Sequence, residues 1–189
     1  VQIIVHRRNT RHLLSQTSKN YGIEVDIRSK GEQLIIHHDP FTEGESFDRW
    51  LMDFDHKTLI LNVKEEGLEH KILNLMEVHD IDDFFFLDQS FPFLIKTSLL
   101  GERRCAVRVS EYESLDTALS LAGKIDWVWV DCFSKFPLSK QQANTLKKSG
   151  FKLCIVSPEL QGRDDTTEIV NLARLLEELG ITIDAVCTK

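Results

Sequence analysis

Short, nearly unbroken apolar runs recur along the chain, and between them the apolar residues fall three and four positions apart. The first pattern is that of buried strands and the second that of amphipathic helices. Strands are expected over residues 1–6, from 22 onward, and over 58–64, 83–88, 105–110, 127–132, 152–156 and 184–188; the run 34–38 extends the second strand around a turn at Lys30 and Gly31. Helices are expected between them, over 10–21, 47–54, 68–79, 93–100, 114–124, 139–149 and 165–179. Ser114 is placed to cap one of these, and Gly150 and Gly180 to end two others.

Eight strands, almost every one followed by a helix, form the alternation of a parallel α/β protein. Runs such as Phe84-Phe85-Phe86-Leu87 and Trp127-Val128-Trp129-Val130 are apolar throughout, as strands covered on both faces require. Eight units point to a closed (β/α)8 TIM barrel, with a doubly wound open sheet as the structural alternative. Such barrels typically run to about 250 residues. A chain of 189 residues must therefore have minimal loops, with or without a final helix. No Pro/Gly/Ser-rich linker divides it, so residues 1–189 read as a single domain.

A hydrophobic share of 42% suits a globular protein and argues against disorder or a fibrous chain. The formal charge is −7, and no Lys/Arg cluster tracks a nucleic-acid backbone, so nucleic acid is a poor partner. No apolar run approaches the ~20 residues of a membrane span, and residues 1–6 look like a strand and not a signal peptide. Cys105, Cys132, Cys154 and Cys187 lack metal-ligand spacing and read as small buried hydrophobes in a reducing compartment. The cytoplasm is the expected location; the sequence is silent on oligomeric state.

The chemistry gathers in residues 22–40. Strict alternation in Ile23-Glu24-Val25-Asp26-Ile27-Arg28 puts Glu24, Asp26 and Arg28 on one face, as a solvated edge strand would also do. The run that follows ends in His37-His38-Asp39-Pro40, where alternation sends the two histidines to opposite faces. Two carboxylates on one strand face can hold a hard divalent cation, and a nearby histidine can move protons near neutral pH. In a barrel the functional residues stand at the C-terminal strand ends. Those ends carry His6-Arg7, Glu24 and Asp26, His38, Asn62 and Lys64, residues 88–90, Arg108, Asp131, and Ser157 with Glu159. A solvated rim would be polar too. Glu159 opens a segment where barrels often bind phosphate, which reads equally as an ordinary polar loop.

These residues resemble the glycerophosphodiester phosphodiesterase and phosphatidylinositol-specific phospholipase C-like barrels. That pattern is HRG on the first strand, ExD on the second, HD closing the next extended run and a carboxylate-x-Lys on the third; here it reads His6-Arg7-Arg8, Glu24-Val25-Asp26, His38-Asp39 and Asn62-Val63-Lys64. The match covers the first third of the chain. The resemblance implies a phosphoric diester hydrolase acting on a small glycerophosphodiester or sugar-linked diester. Glu24, Asp26 and Asn62 would ligate Mg2+ or Ca2+, Arg7 and Lys64 would hold the phosphate, and His6 and His38 would act as general acid and base. Arg108 and Glu159 are further candidates for the substrate. Asn62 replaces a third carboxylate, Arg8 replaces a glycine, and the insertion usual after the HD motif is missing. A catalytically weak or inactive barrel binding a phosphorylated ligand, and a sugar-phosphate aldolase- or isomerase-type barrel using Lys64, are the alternatives.

Overall fold

The computed structural model describes residues 1–164 and 166–189, and the chain folds into two compact units: residues 4–100, and residues 1–3 with 101–189. The α/β alternation expected from the sequence is present in both.

In the unit of residues 4–100, the end of strand β1 (Gln2–Val5) pairs in parallel with the start of β2 (Gly22–Lys30), Ile4 opposite Gly22 and Val5 opposite Ile23. Gly22 is required there. A Cβ on it would lie 2.7 Å from the Thr58 carbonyl oxygen and 2.9 Å from Ile4 Cγ1. Strand β2 runs on beyond β1, turns at Gly31 and returns as the antiparallel strand β3 (Gln33–Ile36), which in turn pairs with the two-residue strand β4 (Glu45–Ser46). This is the extension expected around Lys30 and Gly31. The other edge of β2 takes β5 (Leu59–Val63) in parallel, with Asp26 opposite Asn62, and β6 (Phe84–Leu87) follows on β5. Every residue of β5 and β6 is buried, as a doubly covered parallel sheet demands.

Four helices belong to this unit: α1 (Arg11–Ser15), α2 (Phe47–Leu51), α3 (Glu69–Val78) and α4 (Phe91–Leu99). Helix α1 ends well before the predicted residue 21. The Thr17 hydroxyl donates to the Leu13 carbonyl and the Ser18 hydroxyl accepts the Asn20 amide, local bonds that compete with a continuing helix. Helix α2 buries Phe47, Trp50 and Leu51.

The second unit holds four parallel strands in the order β7 (Ala106–Val109), β8 (Trp127–Val130), β9 (Lys152–Val156) and β10 (Ala185–Thr188). The Gln2 amide donates to the Asp184 carbonyl at 2.8 Å. Its helices are α5 (Leu115–Leu119), α6 (Lys140–Lys148) and α7 (Glu168–Leu179), with a 3-10 turn at Pro158–Gln161. Ser139 and Gln142 close a capping box on α6. The predicted start of the last helix, Asp165, lies outside the described residues; its predicted end at Gly180 is found, with that glycine in the left-handed region. All four cysteines are free and buried, and among the described residues no helix is long and apolar enough to cross a membrane.

Where β7 and β8 end, one carboxylate ties two loops together. Glu111 accepts the backbone N–H groups of Ser134 (2.7 Å), Lys135 (2.8 Å) and Phe133 (3.2 Å), and the Ser134 hydroxyl. Burial opposes its ionisation, but the N–H groups of Lys135 and Ser134 outweigh that and pull its pKa down to about 2. A carboxyl depressed in the folded state stabilises the fold above its unfolded pKa, and the stabilisation is lost as pH falls through the folded value. Glu111→Gln should therefore lower stability at neutral pH and flatten its decline between the ordinary carboxylate pKa and pH about 2. Urea unfolding across that range checks both.

Candidate active site

Glu24 and Asp26 lie on one face of β2, and both are buried, at 1% and 0% exposure. The alternation read from the sequence is correct, but the face is not solvated. Asn62 sits beside Asp26 because the two are register partners on adjacent strands. Charge removed from water must be paired or hydrogen-bonded, and residues 6–9 supply much of the answer. Arg7 takes a left-handed conformation (φ 52°), which turns the chain back over β2. The Arg7 amide then donates to Glu24 Oε2 at 2.7 Å and the Arg8 amide to the Glu24 carbonyl at 3.0 Å. Asn9 Nδ2 donates to Asp26 Oδ2 at 2.7 Å, and the Asp26 amide donates to Asn9 Oδ1 at 3.0 Å. Trp50 of α2 holds the loop from behind, its Nε1 donating to the Arg8 carbonyl at 3.0 Å.

The remaining charge comes from cations on neighbouring elements. Lys64, just past β5, places Nζ 3.3 Å from Asp26 Oδ1 and 3.4 Å from Asp88 Oδ2; Arg7 Nε is 3.5 Å from Asp26 Oδ2. His6 Nε2 stands 3.7 Å from Glu24 Oε2. Burial, and then the charge of Asp26, pushes the Glu24 carboxyl well above the ordinary range, against the hydrogen bonds from Asn62 and Arg7. Burial and the positive charge of Arg7 lower His6 to about 4, with Lys64 and His38 acting in the same direction and Asp26 opposing.

His38 is on the rim, 40% exposed, with Nδ1 2.8 Å from Asp39 Oδ1. Its carbonyl accepts from Arg28 Nε and Nη2, so Arg28 fastens the end of the hairpin instead of entering the carboxylate cluster. His37 is engaged with the Asp39 backbone. Of the residues expected from the sequence, His6, Arg7, Glu24, Asp26, Asn62 and Lys64 are thus gathered by direct contacts, with His38 close enough for its charge to act on His6. Arg108 and Glu159 belong to the other unit. There Arg108 pairs with the buried Asp131, which also accepts from Gln161 Nε2 at 2.7 Å. Glu159, also buried, accepts from the hydroxyls of Ser157 and Thr188 and from the Lys189 amide.

Asn9 was not foreseen, and only its residue type hinted at it, since Asn in loops readily bonds backbone groups. Asp88 fell within the polar strand ends without a role; it is the second carboxylate on Lys64, at a left-handed φ of 58°. Beside Lys64 lies a cavity of about 190 Å3 lined by Glu69, Asp88, Gln89 and Ser90 among others.

Two oxygens at the centre accept no hydrogen bond although sealed from solvent: Asp26 Oδ1 and Asn62 Oδ1. Among the described residues no group of three or more His, Cys, Asp or Glu side chains is placed to hold a metal ion. The set here is two carboxylates and one amide. Oxygen donors of this kind, two of them with unused lone pairs, fit Mg2+ or Ca2+ in a site of reduced negative charge. Glu24 is the most committed of the three, because both its oxygens already take N–H donors.

No family model matches the chain, and no curated protein sequence does. Solved structures do. A "putative glycerophosphodiester phosphodiesterase from Galdieria sulphuraria" superposes with a TM-score of 0.73 at 17% identity, over 99% of this chain and 93% of that one. The glycerophosphodiester phosphodiesterase from Agrobacterium tumefaciens str. C58 gives 0.68 at 16% identity, over 99% and 95%. The chain has the fold of these two structures. The likeness read from the first third of the sequence thus extends, as fold, over nearly the whole chain.

Asn62 Nδ2 donates to Glu24 Oε1 at 2.8 Å, a bond that a carboxylate could not make. Asn62→Asp should therefore lower the melting temperature of metal-free protein, more at pH 8 than at pH 5, where one of the three carboxyls can keep its proton. Added Mg2+ should recover more stability in the variant than in the wild type, and thermal melts with and without the ion check it.

Proposed function

We propose that the chain is a metal-dependent phosphoric diester hydrolase, a single (β/α)8 domain acting in the cytoplasm on a small glycerophosphodiester or sugar-linked diester. The observation that carries this reading is the pair of buried oxygens on register partners, Asp26 Oδ1 and Asn62 Oδ1, that accept no hydrogen bond, in a cluster where Lys64 faces Asp26 Oδ1, Arg7 faces Asp26 Oδ2 and His6 faces Glu24. The 16–17% identical structures named as glycerophosphodiester phosphodiesterases are consistent with it. Asp26, Asn62 and Glu24 would hold Mg2+ or Ca2+, which when bound draws charge off the phosphoryl oxygens.

The chain's own groups perform the remaining steps. Arg7, 45% exposed, offers its fork to the phosphate, and Lys64 adds a point charge from the other side of Asp26. His38 suits the general acid: Asp39 on Nδ1 orients the ring and leaves Nε2 free to give a proton to the leaving oxygen. His6 then takes the proton of the attacking hydroxyl.

A second reading, a barrel that binds a phosphorylated ligand without turning it over, is favoured by Asn62 in place of a carboxylate. The two separate in one assay. Purified protein with Mg2+ or Ca2+ should cleave glycerophosphodiesters, EDTA should abolish the cleavage, and His6→Ala or His38→Ala should each lower kcat by about 10²–10⁴-fold. Ligand binding with no turnover in the wild type would favour the second reading.

A further inference from the structure

Strand β2 has a gap on one edge. Strand β1 pairs only as far as Ile23 and β3 begins its pairing at Ile27; between them the His37 amide reaches the Asp26 carbonyl at 3.1 Å, which leaves the Glu24 carbonyl and the Asp26 amide without a partner from either strand. An unpaired backbone N–H at a buried position is costly. The Arg8 amide fills the first part of the gap by donating to the Glu24 carbonyl, and the side chain of Asn9 fills the rest by accepting from the Asp26 amide. The same Asn9 side chain donates to Asp26 Oδ2. A primary amide carries a donor and an acceptor side by side, and here they engage the N–H and the carboxylate of one residue. The clasp commits Oδ2 to the loop. Oδ1 is left without a hydrogen bond, on the strand partner of Asn62, whose own Oδ1 also accepts none.

We propose that Asn9 is a positioning residue that holds the Asp26 carboxylate so that Oδ1 alone is presented to a divalent cation. This rests on Asp26 being a cation ligand, and it adds to that reading the residue that orients the ligand and the oxygen that binds. Partners that orient a ligating side chain in this way typically contribute 10–100-fold to metal affinity.

The test uses Mn2+ as the probe, with the free ion followed by electron paramagnetic resonance. Asn9→Ala removes both bonds; Asn9→Gln keeps the amide but carries it one methylene further, which guards against a variant that does not fold. Mn2+ affinity should fall about 10–100-fold in Asn9→Ala and by less in Asn9→Gln, while kcat at saturating Mn2+ recovers to near the wild-type value. Three results would overturn the assignment: wild-type affinity in the folded variants, a loss of kcat that saturating Mn2+ does not recover, or no Mn2+ binding by the wild type. Diester cleavage measured alongside keeps the two readings apart. Mn2+ binding that follows this pattern without cleavage retains the role of Asn9 and removes the hydrolase. Cleavage by a wild type that binds no Mn2+ does the reverse.

Discussion

Glu24 and Asp26 stand two residues apart on one face of β2, with apolar residues on either side of each, and both are out of reach of water. Isolated carboxylates so placed are severely destabilising, and breaking even one partner of a buried ion pair costs about 3–5 kcal/mol. The elements around β2 are arranged to meet that cost. A left-handed Arg7 turns residues 6–9 back over the strand, and their amides and the Asn9 side chain bind it. Asn62 arrives from β5 with an N–H for Glu24, and Lys64 and Arg7 bring positive charge to the two oxygens of Asp26. Even so, Glu24 holds its proton more tightly than an ordinary carboxyl. The cluster still favours added positive charge.

That imbalance connects the packing to the chemistry. Lys64 is held between Asp26 and Asp88, so an incoming cation at Asp26 Oδ1 leaves the ammonium a second carboxylate to rest on. Asn62 keeps the cluster less negative than three carboxylates would, which favours its stability with no ion bound and, on the proposed reading, lowers its affinity for a cation. His6 and His38 differ in setting: the first is packed against Glu24, and the second stands at the rim with its own carboxylate partner, Asp39.

Much of this was legible in the sequence because burial imposes simple periods. Eight apolar runs located the parallel strands, and alternation alone put Glu24 and Asp26 on one face. The reading failed where local side-chain bonds override periodicity, as at Thr17 and Ser18 beyond α1. It is silent where the deciding contact is distant in the chain. Arg28 shares the period of Glu24 and Asp26, yet its long side chain turns to the His38 carbonyl and to Glu65. Asn9 lies in a loop with no period at all, and its role depends on a gap in strand pairing that no local pattern records. The partners of Arg108 and Glu159 are equally non-local.

The most direct test is a crystal of the protein soaked in Mn2+, with the ion located by its anomalous scattering. The expected result is a peak in contact with Asp26 Oδ1 and Asn62 Oδ1, with Lys64 withdrawn from Asp26 toward Asp88. A peak elsewhere, or no peak with Lys64 still against Asp26, would contradict the cation site and the phosphodiesterase chemistry built on it.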